Sequence, residues 1–185
     1  MRNWATRAVG ELAHRRDEIN ALNVFPVPDS DTGSNMAHTM EAAVAELDNG
    51  GDVADSLALG AVRGARGNSG MVLSQVLRGV AESTVDSVID GAVFVRSLKQ
   101  AVELVDRAIV EPVEGTVITV LKAAAEAADD AEAQSGATLH SIVSAAIAAA
   151  EKALERTPSQ LPALREAGVV DAGGAGLVIL LESLL

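Results

Sequence analysis

The feature that most limits what this chain can fold into is a helical period written almost entirely in small aliphatic side chains. Val72, Leu73, Val76, Leu77 and Val80 fall at i, i+1, i+4, i+5 and i+8, one stripe of a helix. Ile142, Ala146, Ala149, Ala150, Ala153 and Leu154 form a second stripe, and Val102, Val105 and Ile109 a third. Hydrophobic residues make up 49% of the chain, yet aromatics are only 2% and tyrosine is absent. The core must therefore be Ala, Val, Leu and Ile. Side chains this small let helix axes approach closely, which favours helix-on-helix packing. Helices are expected near 3–21, 34–48, 53–65, 69–83, 91–110, 116–132, 138–155, 159–166 and 174–184. Asp52 reads as an N-cap, and Pro112, Pro158 and Pro162 as boundary marks. Thr116-Val-Ile-Thr-Val-Leu121 would suit a strand, but its run into Lys-Ala-Ala-Ala pulls it toward helix. The expectation is one all-α domain over 1–185, an up-and-down barrel or bundle of about eight helices.

Charge and composition exclude several function classes. The net charge is −12, from 14 basic and 26 acidic residues. No basic patch is visible, which argues against a nucleic-acid partner. No apolar run approaches the roughly 20 residues that span a bilayer, so an integral membrane protein is not expected. The chain opens Met1-Arg-Asn-Trp-Ala without an apolar signal region. Cysteine is absent, which removes disulfides and thiolate metal sites. A cytoplasmic setting is the expectation. Leu177-Val-Ile-Leu-Leu181 is apolar on all sides and lies four residues from the end. A helix that apolar wants burial. The tail is read as an interface, with a homodimer as one form of it, or equally as a chain cut from a longer protein.

The stretch with the richest chemistry is Asn23-Val-Phe-Pro-Val-Pro-Asp-Ser-Asp-Thr-Gly-Ser-Asn-Met36. Pro26 and Pro28 bias the residues before them to extended backbone. Residues i and i+2 of an extended stretch point to one side, so Asp29 and Asp31 can aim at one point. Two carboxylates about 4 Å apart repel by roughly 4 kcal/mol at an effective dielectric near 20. A hard cation removes that penalty, and Mg²⁺ bridging to phosphate suits so few carboxylates. Gly33 permits the turn, and Ser34 and Asn35 can present N–H groups to an anion at a helix start. The same residues also suit ordinary helix capping in an Asx-turn loop.

Three more glycine-bearing turns precede helices. Gly64-Ala-Arg-Gly-Asn-Ser-Gly70 combines close backbone approach with the short donors of Asn68 and Ser69. Arg66 could neutralise a phosphate there, or simply face solvent. A tight helix–helix turn is the plain alternative. Gly168-Val-Val-Asp-Ala-Gly-Gly-Ala-Gly176 holds one charge, Asp171. Pro112-Val-Glu-Gly-Thr-Val117 opens a helix at Thr116, with Glu114 as a capping or functional carboxylate. There is no Gly-x-x-x-x-Gly-Lys-Ser/Thr and no Gly-rich strand-to-helix turn, which excludes P-loop and Rossmann folds. His14, His38 and His140 show no ligand spacing.

Together these segments resemble a known family. Asn20-Ala-Leu-Asn-Val-Phe-Pro-Val-Pro-Asp-Ser-Asp-Thr-Gly-Ser-Asn-Met36 looks like the signature of the N-terminal kinase domain of bacterial fatty acid kinase. Gly64–Gln75, Pro112–Thr116 and Ala167–Gly174 match its other signatures in order and spacing. The domain is similar to the nucleotide-binding subunit of dihydroxyacetone kinases. The resemblance implies an eight-helix barrel with ATP or ADP at one end and Mg²⁺, two ions, between aspartates and phosphates. Asp29 and Asp31 are then the catalytic metal ligands, with Asn23 in the place of a third, upstream aspartate. Thr32, Gly33, Ser34, Asn35, Asn68, Ser69 and Gly70 would line the phosphates. Thr116, Asp171, Gly173 and Gly174 would lie toward the nucleoside. The family usually has Gly between the two aspartates, where this chain has Ser30; a positive φ there would cost about 1 kcal/mol.

The resemblance further implies transfer of the γ-phosphate to a fatty acid carboxylate held by a separate fatty-acid-binding protein. It also implies further domains beyond this N-terminal one. Phosphorylation of dihydroxyacetone or a related small polyol is the alternative within the fold. A non-catalytic nucleotide-binding regulator and a plain helical interaction bundle are the alternatives outside it.

Overall fold

The computed structural model describes residues 1–84 and 88–185. The described residues form ten α-helices and no β-strand. They are α1 (Arg2–His14), α2 (Arg16–Ala21), α3 (Thr32–Glu46), α4 (Val53–Gly64), α5 (Gly67–Ser83), α6 (Gly91–Ala108), α7 (Val117–Glu132), α8 (Leu139–Gln160), α9 (Pro162–Ala167) and α10 (Ala172–Glu182). Among them no helix is long and apolar enough to cross a membrane. From α3 to α8 each helix packs on the next, the up-and-down order that short connections favour.

Two expectations fail at helix ends. The single helix expected over 3–21 bends at Arg15, whose ψ of 11° leaves the helical range. The boundary expected at Pro158 is absent, because α8 runs through it to Gln160. Side chains replace the donors that two prolines lack. Thr157 Oγ1 donates to Leu154 O at 2.7 Å, the carbonyl that Pro158 leaves without a partner. Arg165 Nε and Nη2 donate to Pro158 O and Ser159 O at 3.2 and 3.1 Å, in front of Pro162. Asp52 caps α4 as expected, accepting from Ala54 N at 2.8 Å.

The interior is two clusters that share one wall. Leu98, Val105, Ile118, Leu121, Ile142 and Ile147 form the first, between α6, α7 and α8. Leu12, Ile19, Met40, Leu57 and Leu77 form the second, between α1 to α5. α10 belongs to both: Leu177, Val178 and Leu181 pack into the first, and Ile179 and Leu180 into the second. That is why the Leu177–Leu181 run is apolar all round. It is buried by this chain's own helices, while Leu184 and Leu185 after it are exposed.

Candidate functional site

The loop between α2 and α3 is shaped by two asparagines. Asn23, only 5% exposed, accepts on Oδ1 from Asp31 N at 3.0 Å and Thr32 N at 3.1 Å. Its Nδ2 donates to Val27 O at 3.1 Å and Phe25 O at 3.5 Å. Asn20 grips Ser34 twice: Oδ1 accepts from the backbone N at 3.1 Å and Nδ2 donates to Oγ at 3.0 Å. The Asn23 oxygen has two lone pairs, and two N–H groups occupy them. Both ends of the Asn23 amide thus clamp the loop.

Asp29 and Asp31 are exposed on this loop. Neither carboxylate carries a hydrogen bond or ion pair among the described residues. Asp31 stands at the N-cap of α3 but does not cap it, so the plain capping alternative fails for the pair. Among the described residues no three His, Cys, Asp or Glu side chains group as a metal site. Two free carboxylates would supply only a minority of a cation's six or more oxygen ligands, and a cation there needs phosphate or water to complete its shell.

Ser30, between them, has φ +55°. The left-handed region costs an L-residue about 1–2 kcal/mol. Glycine's extra unfolded-state freedom cancels about 0.5–1 kcal/mol of that. Ser30→Gly is therefore expected to stabilise the protein by up to about 1 kcal/mol, a rise in Tm of roughly 2–4 °C, measured by thermal unfolding.

Next to the loop lies a cavity of about 340 Å³. Six of the expected residues line it: Thr32, Asn68, Ser69, Thr116, Asp171 and Gly173. They stand at the first turns or N-caps of α3, α5, α7 and α10. Four helix N-termini thus meet at one cavity, each with a partial positive charge, although Thr32 N, Ser34 N and Gly174 N already have side-chain acceptors. The rest of the wall is largely apolar, with Phe25, Met71, Val72, Ile109, Val117 and Ile118. Among the described residues its charged side chains are Glu111 and Asp171, and no Lys or Arg lines it. Arg66 is exposed at the N-cap of α5. A polyanion in this cavity would have its charge met by helix dipoles and a cation, not by basic side chains.

The other expected residues do not line this cavity. A Cβ at Gly33 would run into Arg16 O, so Gly33 serves the packing of α2 on α3. Gly70 faces Thr39 Oγ1, and Gly174 faces Val120 and Leu154. Ser34 is held by Asn20, and the Asn35 side chain lies against Gly67. Their local chemistry suits a ligand as well as a helix contact, and only the tertiary packing separates the two. The sequence reading missed the apolar wall. Val72 had appeared only as part of a helix stripe, and Val117 and Ile118 only as an ambiguous β-branched run. A second cavity of about 650 Å³, lined by Trp4, Leu77, Phe94, Val143 and Leu181 among others, is mostly apolar and lacks such a polar set.

Asp171 is 6% exposed and ties two of these termini together. Its Oδ2 accepts from Gly174 N at 2.7 Å, and its own N donates to Thr157 Oγ1 at 3.0 Å. Burial pushes its carboxyl up to about 6, while N–H groups of Gly174, Val117 and Gly173 pull the other way. An acid raised in the folded state favours folding most below its unfolded value near 3.8. That contribution is lost as pH rises through about 6. The shift of about two units corresponds to on the order of 3 kcal/mol. Asp171→Asn keeps a capping side chain and removes the proton. Urea unfolding of the variant is expected to lose this part of the stability slope between pH 4 and 7. An unchanged slope would rule out Asp171 as its source.

The model of the DAK2 domain matches residues 26–185. Protein YloV of Bacillus subtilis (strain 168) is 40% identical over 180 residues, covering 94% of this chain and 32% of that protein. An uncharacterized protein of Staphylococcus aureus (strain USA300) is 39% identical over 180 residues, covering 94% and 33%. The chain spans about a third of the length of these curated relatives. The crystal structure of the dihydroxyacetone kinase from C. freundii in complex with AMP-PNP and Mg²⁺ superposes with a TM-score of 0.70 at 20% identity. The match covers 99% of this chain and 33% of that one. The native form of the same kinase gives 0.64. The all-α fold is therefore that of a domain in this kinase, and the chain belongs to the DAK2 domain family.

Proposed function

We propose that this domain binds ATP or ADP with Mg²⁺ and transfers the γ-phosphate to the carboxylate of a fatty acid, giving an acyl phosphate. The observation that carries it is the pair of free carboxylates, Asp29 and Asp31, beside four helix N-termini around a cavity with no basic side chain. A nucleotide polyphosphate with a divalent cation matches that charge pattern. The C. freundii kinase of the same fold was crystallised with AMP-PNP and Mg²⁺. Asn68 and Ser69 would hold the phosphate chain through the N–H groups that open α5 and their short side chains, and Thr32 through its hydroxyl. The apolar wall and Thr116 would take the nucleoside.

Bound Mg²⁺ would neutralise phosphate charge and align the chain with Asp29 and Asp31. One oxygen of the acceptor carboxylate attacks the γ-phosphorus, the bond to the β–γ bridging oxygen breaks, and ADP leaves. An ionised carboxylate carries no proton to remove, so this acceptor requires no general base. The fatty acid would come on a separate binding protein, and further domains of a longer chain would complete the enzyme. A hydroxyl acceptor such as dihydroxyacetone is the second reading, favoured by the likeness to dihydroxyacetone kinase. It requires a base, and Asp171, one of two carboxylates in the cavity, is already tied to backbone N–H groups.

Calorimetric titration with AMP-PNP tests the nucleotide site. Binding that depends on Mg²⁺ is expected, and folded protein that gives no heat with Mg²⁺ present ends the reading. Phosphate transfer from ATP to a protein-bound fatty acid, against transfer to dihydroxyacetone, then decides the acceptor.

A further inference from the structure

In four helices of this chain the N-cap residue is aspartate, and three of them behave alike. Asp52 accepts from Ala54 N and Asp55 N, Asp90 from Val93 N, and Asp171 from Gly174 N. Asp31, at the head of α3, accepts nothing on its side chain. The N–H that such a cap takes, Ser34 N at the third helical position, goes to Asn20 Oδ1, and Asp31 N and Thr32 N go to Asn23 Oδ1. These acceptors come from 8 to 14 residues upstream, across a closed loop. They are neutral amides, so they satisfy the helix start without adding a third negative charge beside Asp29 and Asp31.

We propose that Asn23 is a positioning residue for the metal–nucleotide site: its amide pins Asp31 N and Thr32 N and closes the loop that carries both carboxylates, while Asn20 takes the capping N–H of Ser34, so that both carboxylates stay free for a divalent cation. This rests on the nucleotide and Mg²⁺ reading above. Both ends of the amide are required. The oxygen holds two N–H groups, and the nitrogen donates to Val27 O at 3.1 Å, across the prolines that precede Asp29. Aspartate can do the first and not the second, because an ionised carboxylate has no donor. Without the oxygen, Asp31 N and Thr32 N lose their acceptor and the loop is no longer pinned to the start of α3.

A ligand and a clamp respond oppositely to one isosteric change. Were Asn23 a metal ligand, Asn23→Asp would hold or tighten Mg²⁺, since a carboxylate is the stronger ligand for a hard cation. As a clamp, Asn23→Asp sets a carboxylate oxygen against the Val27 carbonyl and opens the loop. The Mg²⁺ concentration for half-saturation, at fixed AMP-PNP, is then expected to rise about 10–100-fold, the range for residues that orient metal ligands. Asn23→Ala should weaken Mg²⁺ similarly and speed hydrogen exchange at the amides of Asp31 and Thr32, measured without nucleotide. Unchanged or tighter Mg²⁺ binding in Asn23→Asp overturns the proposal, as does unchanged exchange in Asn23→Ala. Asn23→Asp keeps the side chain's shape and its acceptor, so the metal arm stands even where Asn23→Ala unfolds. If the wild-type protein binds no Mg²⁺–nucleotide, the functional reading fails and the proposed metal role fails with it. The exchange arm then decides only whether Asn23 pins the start of α3.

Discussion

Gly60→Ala is expected to destabilise the protein by about 1 kcal/mol, the overpacking cost less the helix gain, while Gly10→Ala stabilises it by about 1 kcal/mol. Both glycines lie inside helices, where alanine is intrinsically better by about 1 kcal/mol. Gly10 is on the exposed side of α1, and a Cβ there would meet nothing within 4 Å. It should show the intrinsic gain. Gly60 is buried where α4 crosses α3. A Cβ there would strike Ala42 O and lie 2.8 Å from Ala43 Cα and Glu46 Cβ. Two of those atoms are backbone, so no rotamer change relieves the clash and the helices must part. Overpacking of this kind costs about 1–3 kcal/mol, and opening the seam exposes the methionines and leucines behind it. Urea unfolding of the two variants and the wild type reads both signs. A Gly60→Ala protein as stable as the wild type would mean that α3 and α4 do not lie this close.

The same seam recurs at Gly79, where a Cβ would come within 2.8 Å of Ser97 O and Ala101 N on α6. Here the composition and the fold meet. A core poor in aromatics and rich in Ala and Gly is what helix axes at short range require. The stripes of Val72–Val80 and Ile142–Leu154 were legible for the same reason, since each buries one face against a neighbour. What local pattern could not supply was any property that depends on two elements at once. α10 is apolar all round because two clusters share it, and no window of its own sequence says so. α8 passes through Pro158 because Thr157 serves the orphaned Leu154 carbonyl, and Arg165, seven residues on, serves the Pro158 carbonyl that Pro162 leaves without a donor. Gly33 and Gly70 were expected on the phosphate side and Gly174 toward the nucleoside, and at each of them a Cβ would meet a neighbouring helix. At the site, six expected residues share one cavity because each opens a helix, and helix starts are marked in sequence. Asn20 and Asn23 were in plain view within the motif. Their task is set by partners up to 14 residues away, a separation that no turn rule covers.

Replacing Asp29 and Asp31 together with alanine should separate binding from folding. At about 4 Å and an effective dielectric near 20, a unit charge pair attracts by about 4 kcal/mol, and a divalent ion by more. Screening and ion dehydration at an exposed loop leave about 1–2 kcal/mol for each carboxylate. Loss of both is then expected to weaken Mg²⁺-dependent AMP-PNP binding about a hundredfold. Stability should barely move, because neither side chain makes a bond that holds the fold. Asp31 gives up a modest helix-dipole contribution of about 0.3–1 kcal/mol, and the pair gives up its mutual repulsion, so the two changes oppose each other. Asp52→Ala is the contrasting case: its carboxylate does cap a helix, and its loss should cost about 1 kcal/mol with nucleotide binding unchanged. Titration calorimetry and thermal unfolding of the same samples make the comparison. Should the double variant unfold as readily as a core mutant, the carboxylates belong to the fold. Should it keep Mg²⁺-dependent binding, the cation sits elsewhere. Only the predicted combination, weak binding on an intact fold, fits two charges that the structure leaves free while three other N-cap aspartates are spent.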